Sequence, residues 1–130
     1  MKVLQPPKWA RPKGFSNGIA TKGELIFVSG MVGWDEQGKF ASNEFVAQAR
    51  QALKNVVAVL AEAKAKPEHI ARMTWYVVDK KEYLAALKGL GVAYSEVIGK
   101  HYPAMTAVEV TALIEDKARV EIEVTAVVPD

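Results

Sequence analysis

The chain has 130 residues, no cysteine and a formal net charge of only +2. Its length predicts a single domain over residues 1–130, with a core that needs no covalent staple, and the missing cysteines exclude disulfides and thiolate chemistry. The basic residues are dispersed, which argues against nucleic-acid binding, and no stretch approaches the ~20 apolar residues of a membrane span. The N-terminus lacks the apolar run of a signal peptide, so we expect a soluble cytoplasmic domain without membrane contacts.

The first third of the chain predicts an arm followed by two strands. Residues 1–13 contain three of the six prolines, which favours extended chain or an edge strand. Ile19 to Thr21 and Glu24 to Val32 have strand composition, and Lys22-Gly23 between them is typical of a hairpin turn. Residues 25–28 are apolar on both faces, which favours the centre of a sheet.

An amphipathic helix is predicted next, beginning with Ser42 or Asn43 as its N-cap and ending before Pro67. Its apolar residues recur at helical spacing and should face the core. They are Phe45, Ala49, Ala52, Leu53, Val56, Leu60 and Ala63.

A strand at residues 73–78 leads to a second predicted helix. Asp79 and Glu82 have the spacing of a capping box, which marks its start. Gly89 and Gly91 weaken its middle by about 1 kcal/mol each relative to alanine, and they predict either a close packing contact or a kink.

The C-terminal stretch from His101 to Val128 shows strict alternation of apolar residues on both sides of a polar break. This pattern predicts two strands with a turn at residues 114–118. In such a hairpin Glu109 and Glu123 would lie roughly opposite each other, and like charges across a strand pair are destabilising. The acidic face therefore needs some partner.

The predicted order is β-β-α-β-α-β-β, which indicates an α+β fold with one mixed sheet and both helices on one face. The other sheet face would have no helical cover from its own chain. Such faces are commonly covered in closed homo-oligomers, so we expect self-association.

No standard catalytic motif is present, since the chain lacks a phosphate loop, a zinc-binding HExxH and a nucleophile elbow. His69 and His101 have no ligand-type neighbour at short spacing, so no metal is expected. Ser29 and Gly30 end a central strand, where their amides could contact a ligand or the glycine could merely permit a turn.

The remaining candidates each have two interpretations. Glu121 could act as a general acid or base, or it could be solvated or paired with arginine. The loop aromatics Phe15, Trp34 and Tyr102 could line an apolar pocket, or they could pack at a subunit interface.

Several segments together resemble one family, RidA/YjgF, which is also called the endoribonuclease L-PSP family. They are residues 12–18 (PKGFSNG), 26–30 (IFVSG), 48–56 (QARQALKNV), 77–79 (VVD), 102–104 (YPA) and 120–123 (VEIE). The resemblance implies a chorismate-mutase-like fold, a homotrimer and ligand clefts between subunits. It also implies hydrolysis of reactive imines and enamines to a keto acid and ammonia, without metal or organic cofactor.

The resemblance assigns residue roles and also exposes two departures. A family glutamate thought to position water or relay a proton matches Glu121, the expected catalytic residue. The family arginine that follows the Pro-Ala pair and holds the substrate carboxylate is replaced by Met105, and the family's pocket tyrosine is replaced by Phe15. The expected substrate-binding residues are Phe15, Ser29, Gly30, Trp34, Tyr102, Ala104 and Met105.

The sequence therefore favours a trimer with a small-molecule pocket of altered specificity, because methionine cannot form the charged bidentate contact that an arginine makes with a carboxylate. A non-catalytic trimer that binds a metabolite or docks a protein is the alternative. RNA cleavage, suggested by the family's older name, is disfavoured by the weak net charge.

Overall fold

Six strands and three helices make up the protein, and the computed structural model describes all 130 residues. In chain order the elements are β1 (Lys2–Leu4), β2 (Gly18–Ala20), β3 (Glu24–Val32), α1 (Phe45–Glu62), a 3₁₀ turn (Pro67–His69), β4 (Ile70–Val77), α2 (Lys80–Ala85), α3 (Leu87–Val97), β5 (Ala104–Glu109) and β6 (Val120–Val128). The α+β class and the mixed sheet are confirmed. None of the helices combines the length and the apolar character needed to cross a bilayer.

The main sheet has the order β3-β6-β4-β5, and the prediction that the last two strands form a hairpin is wrong. β6 pairs antiparallel with both β3 and β4, whereas β5 lies at the edge and runs parallel to β4. The helices between β4 and β5 provide a crossover long enough for parallel pairing. Consequently Glu109 lies beside Val77, while Glu123 lies beside Thr74, so the two carboxylates do not oppose each other.

The predicted hairpin near the N-terminus is also wrong. β2 pairs with β1 in a separate two-stranded sheet, with Val3 beside Ile19, so part of the proline-rich arm is an edge strand as expected. Gly23 follows with φ of +145°, and a β-carbon there would lie only 2.0 Å from the carbonyl oxygen of Val128. The glycine therefore lets the chain pass the end of β6 rather than reverse between β2 and β3.

Helix α1 buries the predicted stripe, with Ala63 only half-buried just beyond the last helical turn. Its cap is Glu44 rather than Ser42 or Asn43, and the Ser42 hydroxyl instead accepts a hydrogen bond from the Glu44 N–H at 3.0 Å. Gln48 is only 1% exposed, although it lies outside the predicted apolar stripe. The helix layer thus contains a buried amide that hydrophobic periodicity does not mark.

The second predicted helix is two helices, α2 and α3, which meet at Ala86. Asp79 caps α2 as predicted, because its carboxylate accepts from the N–H groups of Lys81 and Glu82. The break does not fall at the glycines. Gly89 lies in close contact with α1, since a β-carbon there would be 3.2 Å from Val46, whereas Gly91 has open space beside it.

The core lies between the main sheet and the helices, and the opposite sheet face has no cover in the chain. We call that surface the open face; it includes Leu25, Phe27, Tyr76, Val108, Glu121 and Glu123. Phe27 is 73% exposed and Leu25 is 59% exposed, although both are on a strand of the sheet. The chain therefore leaves large apolar side chains uncovered, as the sequence pattern predicts.

Candidate functional site

A cleft of about 550 Å³ lies between strand β5 and helices α2 and α3. Nine of its thirteen lining residues are hydrophobic, and Lys13 is the only charged side chain among them. The lining residues are Lys13, Gly14, Phe15, Trp75, Tyr83, Leu87, Leu90, Gly91, Tyr94, Tyr102, Met105, Thr106 and Ala107. This composition is typical of a site for a small, largely apolar ligand.

Strand pairing places Met105 in this cleft. Met105 lies beside Met73 in the parallel β4–β5 ladder, and Met73 is fully buried under the helices. Residues paired across strands point to the same face, so Met105 also points toward the helix side. The half-buried Met105 packs against the core and lines the cleft.

Stacked tyrosines form one wall of the cleft. The rings of Tyr94 and Tyr102 are 5.7 Å apart between centroids and tilted by only 12°. The Tyr94 hydroxyl donates to the carbonyl oxygen of His101 at 2.5 Å. Burial raises the pKa of Tyr94, and the neighbouring Tyr102 adds to that effect, so the hydroxyl stays a neutral donor at physiological pH.

The segment before β5 is fixed by hydrogen bonds to two other parts of the chain. Ser16 donates through its hydroxyl to the carbonyl of Tyr102 at 2.5 Å and through its N–H to the carbonyl of Pro103 at 2.9 Å. A ring nitrogen of His101 contacts the carbonyl oxygen of Ile70 at 2.6 Å. These contacts hold Tyr102 and the adjacent Phe15 at the cleft, and they give His101 a structural role.

The indole ring of Trp75 borders the cleft on the side of β4. It is 6% exposed, and it meets Tyr83 edge-on at 6.5 Å between ring centroids and an interplanar angle of 70°. Its Nε1–H group has no hydrogen-bond partner.

A second set of expected site residues lies on the open face. The carboxylate of Glu121 lies against Gly30, because a β-carbon at Gly30 would be 1.9 Å from Oε2 of Glu121. Ser29 lines a depression of about 320 Å³ whose lining residues are mostly polar and include Arg72 and Glu123. Ser29, Gly30 and Glu121 therefore share a face that is not the face of the cleft.

Hydrogen bonds account for the carboxylates that the sequence left unexplained. Glu123 accepts a hydrogen bond from the Tyr76 hydroxyl, which raises the pKa of Tyr76; burial and the charges of Glu123 and Glu121 act in the same direction. Glu109 accepts from the backbone N–H of Lys80 at 2.7 Å, at the start of α2. Both carboxylates thus have partners other than each other.

The eight expected site residues consequently divide into groups. Phe15, Tyr102 and Met105 line the cleft, and Ala104 lies just outside it, beside Arg72 and bridged to Ser16. Trp34 lies apart from both groups, with its ring 5.8 Å from that of Phe40 and its carbonyl bound by Asn55. A single chain therefore does not bring Met105 and Glu121 into one site.

Sequence reasoning missed the helix side of the cleft. Tyr83, Leu87 and Tyr94 lie in the second predicted helix and Trp75 lies in the predicted strand at residues 73–78, but none of them was among the expected site residues. The concentration of aromatic rings in these segments was the one available signal, since periodicity alone does not separate cavity lining from core.

Known proteins match nearly the whole length of the chain. The family model described as endoribonuclease L-PSP matches residues 9–128. A RutC family protein of Aquifex aeolicus is 35% identical over 129 residues, covering 98% of this chain and 99% of that protein. The 2-iminobutanoate/2-iminopropanoate deaminase of Salmonella typhimurium is 31% identical over 108 residues, covering 81% of this chain and 80% of that enzyme.

Solved structures show the same fold. A Rid family protein of unknown function, YyfB from Yersinia pestis, superimposes with a TM-score of 0.86 at 28% identity, covering 98% of both chains. E. coli TdcF, solved with bound serine, gives a TM-score of 0.69 at 26% identity, covering 98% of this chain and 99% of that one. The chain therefore belongs to the RidA/YjgF family, the endoribonuclease L-PSP family of the matching model.

Proposed function

We propose that this protein is a homotrimeric member of its family that hydrolyses a small imine or enamine with an apolar body. The observation that carries this proposal is that Met105 places an uncharged side chain in an apolar cleft. The sequence resemblance predicts a carboxylate-binding arginine at this position. The deaminase relative supports the reaction class, and the cleft composition supports the change of substrate.

Assembly of several copies would complete the site. Met105 lies on the helix side of the sheet and Glu121 on the open face, so the two residues need different subunits to meet at one ligand. The exposed Phe27 and Leu25 support a subunit interface on the open face, because burying such side chains is favourable. In the proposed trimer, Glu121 of one subunit faces the cleft of its neighbour.

The proposed chemistry uses water and one carboxylate. Glu121 accepts a proton from water as the water oxygen attacks the carbon of the C=N bond. Glu121 passes this proton to the nitrogen, which gives a neutral carbinolamine. It then carries the carbinolamine's hydroxyl proton to the leaving nitrogen as the C=O bond forms and the C–N bond breaks. The products are a carbonyl compound and ammonia, and the role of Glu121 is that of a general base and then a general acid.

The missing arginine changes which substrates bind well. A charge-assisted bidentate contact contributes about 1.5–3 kcal/mol, so its loss weakens binding of a small carboxylate-bearing imine by roughly ten- to a hundredfold. An apolar substrate loses nothing by the replacement and gains contact with the Met105 side chain.

Ammonia release from freshly generated imines tests the proposal. We expect slow release from 2-aminoacrylate, faster release from the imine of phenylacetaldehyde, and a reversal of this preference in Met105→Arg. Glu121→Gln should abolish release from both while leaving the fold intact. Equal turnover of 2-aminoacrylate by the wild type and Met105→Arg would contradict the role given to Met105.

A non-catalytic binding trimer is the second candidate, because the carboxylate and the cleft are not joined within one chain. Glu121→Gln separates the two functions: a binding protein keeps its ligand affinity and has no turnover to lose. RNA cleavage has less support, since Lys13 is the only cation that lines the cleft.

A further inference from the structure

Lys13 lies at one end of the cleft, where the N-terminal segment meets strand β5. Ser16 forms a parallel bridge with Ala104, the first residue of that strand. The chain before Ser16 therefore runs beside the residues that precede β5, which places Lys13 at the end of the cleft that Tyr102 borders. Ala107 lines the cleft further along β5, about 10 Å from Ala104 at the rise of an extended strand. The cleft thus extends along β5, with Lys13 at its start.

The Lys13 side chain is free to contact a ligand in the cleft. The two ion pairs of the chain join other residues, Arg50 with Glu96 and Arg119 with Glu82, and no carboxylate lines the cleft. Lys13 is exposed, so no packing contact holds its ammonium group away from the cleft that the residue lines. Lysine carries three hydrogen-bond donors on a flexible four-carbon stem. Its ammonium group can therefore reach an acceptor on a ligand at this end of the cleft.

The segment that carries Lys13 is uniformly basic. Residues 1–23 contain five cationic side chains and no carboxylate; the cations are Lys2, Lys8, Arg11, Lys13 and Lys22. The whole chain has a formal net charge of only +2, so the remaining residues carry a net negative charge. Positive charge concentrated beside a cleft attracts anionic ligands and raises their local concentration. The charge distribution therefore favours an anionic group at the Lys13 end of the cleft.

The other walls of the cleft set a second requirement for the ligand. Beyond Lys13 the lining is mostly apolar, with Leu90 and Met105 supplying aliphatic surface and Trp75 an aromatic ring. Placing a charged group against such walls is unfavourable because the charge loses its hydration without gaining a partner. A molecule with an apolar body and one anionic group at its end fits both parts of the lining.

We propose that Lys13 binds the carboxylate at the end of an elongated, otherwise apolar ligand and orients that ligand along β5. The inference rests on the proposed function, because it names the substrate class of the same cleft: an imine or enamine whose apolar body ends in a carboxylate. Lys13 supplies the charge recognition that Met105 cannot, but it does so at the end of the cleft. A molecule as small as 2-aminoacrylate cannot contact Lys13 and fill the apolar part of the cleft together.

Two probes of matched shape test the assignment. Hydrocinnamate carries a carboxylate at the end of an apolar body, and hydrocinnamyl alcohol has the same carbon skeleton without the charge. Titration calorimetry of the full-length protein measures the affinity for each probe at low and at high ionic strength. Backbone ¹⁵N spectra of the labelled protein, recorded during the same titrations, show whether each probe shifts the signals of Met105 and Ala107 in the cleft.

We expect hydrocinnamate to bind about fivefold to tenfold more tightly than the alcohol at low ionic strength, and we expect salt to reduce this preference. Lys13→Met keeps the aliphatic stem and removes the charge, so the two probes should bind to it equally. Lys13→Arg should retain the preference. Arg11→Met is the matched control, because it removes one positive charge from the same segment while Arg11 is exposed and does not line the cleft. This control should keep most of the preference for the carboxylate.

The two levels of inference fail in different ways. Equal binding of the probes to the wild type, with shifts of the cleft signals, overturns the role of Lys13 but leaves the apolar cleft as a ligand site. An equal loss of preference in Lys13→Met and Arg11→Met also overturns that role, because the attraction would then come from the charge of the whole segment. Absence of shifts at Met105 and Ala107 with either probe overturns the apolar cleft itself, and with it both this inference and the proposed substrate class.

Discussion

The carboxylate of Glu121 lies so close to Gly30 that a β-carbon on the glycine would be 1.9 Å from Oε2. The colliding atoms belong to the flexible end of a side chain, so a substituted residue 30 would displace the carboxylate rather than the backbone. Gly30 also lies at the irregularity in the β3–β6 register between Val28 and Met31. The glycine therefore fixes where the expected catalytic carboxylate sits.

Gly30→Ala should preserve the fold and impair the site. We expect a loss of about 1 kcal/mol or less in the free energy of unfolding, because a side chain can move away. Turnover of the preferred imine should fall at least tenfold as Glu121 shifts. Steady-state ammonia release and urea unfolding measure the two effects.

Gly33→Ala is the matched control for that substitution. A β-carbon at Gly33 would be 2.5 Å from the backbone oxygen of Gln48, which cannot move without shifting α1. We expect a loss of about 1–3 kcal/mol in stability from overpacking. Similar stability losses in both variants would show that Gly30 is needed for folding and not for placing Glu121.

The buried Gln48 should be critical for stability because it joins α1 to the segment before β6. Its amide donates to the carbonyls of Ser42 and Lys117 and accepts from the N–H of Arg119, at 2.8–3.0 Å. Gln48→Leu leaves these backbone groups unsatisfied, so we expect a loss of about 2–4 kcal/mol.

Gln51→Leu provides the comparison, since Gln51 is half-buried and bonds only to Asn55. Its loss should cost about 1 kcal/mol or less. Urea denaturation at one fixed protein concentration measures both variants, because oligomerisation makes stability concentration-dependent. Equal losses in the two variants would refute the special role of Gln48.

Burial of Tyr94 predicts a decline of stability at alkaline pH. Its pKa is raised in the folded protein, so above about pH 10 the unfolded chain releases this proton while the folded chain keeps it. The unfolded state then binds fewer protons, and the free energy of unfolding falls by up to about 1.4 kcal/mol per pH unit from this residue. The stabilising contribution is fully present below pH 10.

Unfolding free energies of the wild type and Tyr94→Phe, measured between pH 8 and pH 11, check this expectation. The variant lacks the hydrogen bond to His101 and starts less stable, but its stability should fall less steeply above pH 10. Parallel slopes in the two proteins would mean that Tyr94 ionises equally in both states.

The open face predicts an oligomer that a single charge disrupts. Phe27 is 73% exposed in the isolated chain, and Phe27→Asp would place a carboxylate in the proposed subunit interface. We expect a homotrimer for the wild type and monomers for the variant in size-exclusion chromatography with light scattering. Val59→Asp, on the exposed side of α1, should remain trimeric. A monomeric wild type would remove the basis for a site shared between subunits.

Local sequence patterns were sufficient to predict most of the helices and strands and to identify the family. Alternating and helical periodicities predicted strands and helices where the chain has them, and Asp79 predicted its own cap correctly. The motifs around Phe15, Ser29 and Glu121 indicated the family that the comparisons confirm. These features depend on residues that are close together in the sequence, so a local sequence pattern can predict them.

Strand partners and cavity walls could not be predicted in this way. The alternation in β5 and β6 is equally compatible with an antiparallel hairpin and with the observed order, in which β6 enters between β3 and β4. The burial of the Gln48 amide could not be predicted for a similar reason, because its partners Lys117 and Arg119 are distant in the chain.

The sequence by itself determined the family motifs and the expectation that Met105 and Glu121 are site residues. Only the tertiary structure decided that these residues lie on opposite faces of one sheet. The physical reason is that a strand's pattern defines its two faces, whereas pairing with distant strands and packing of helices decide what each face meets.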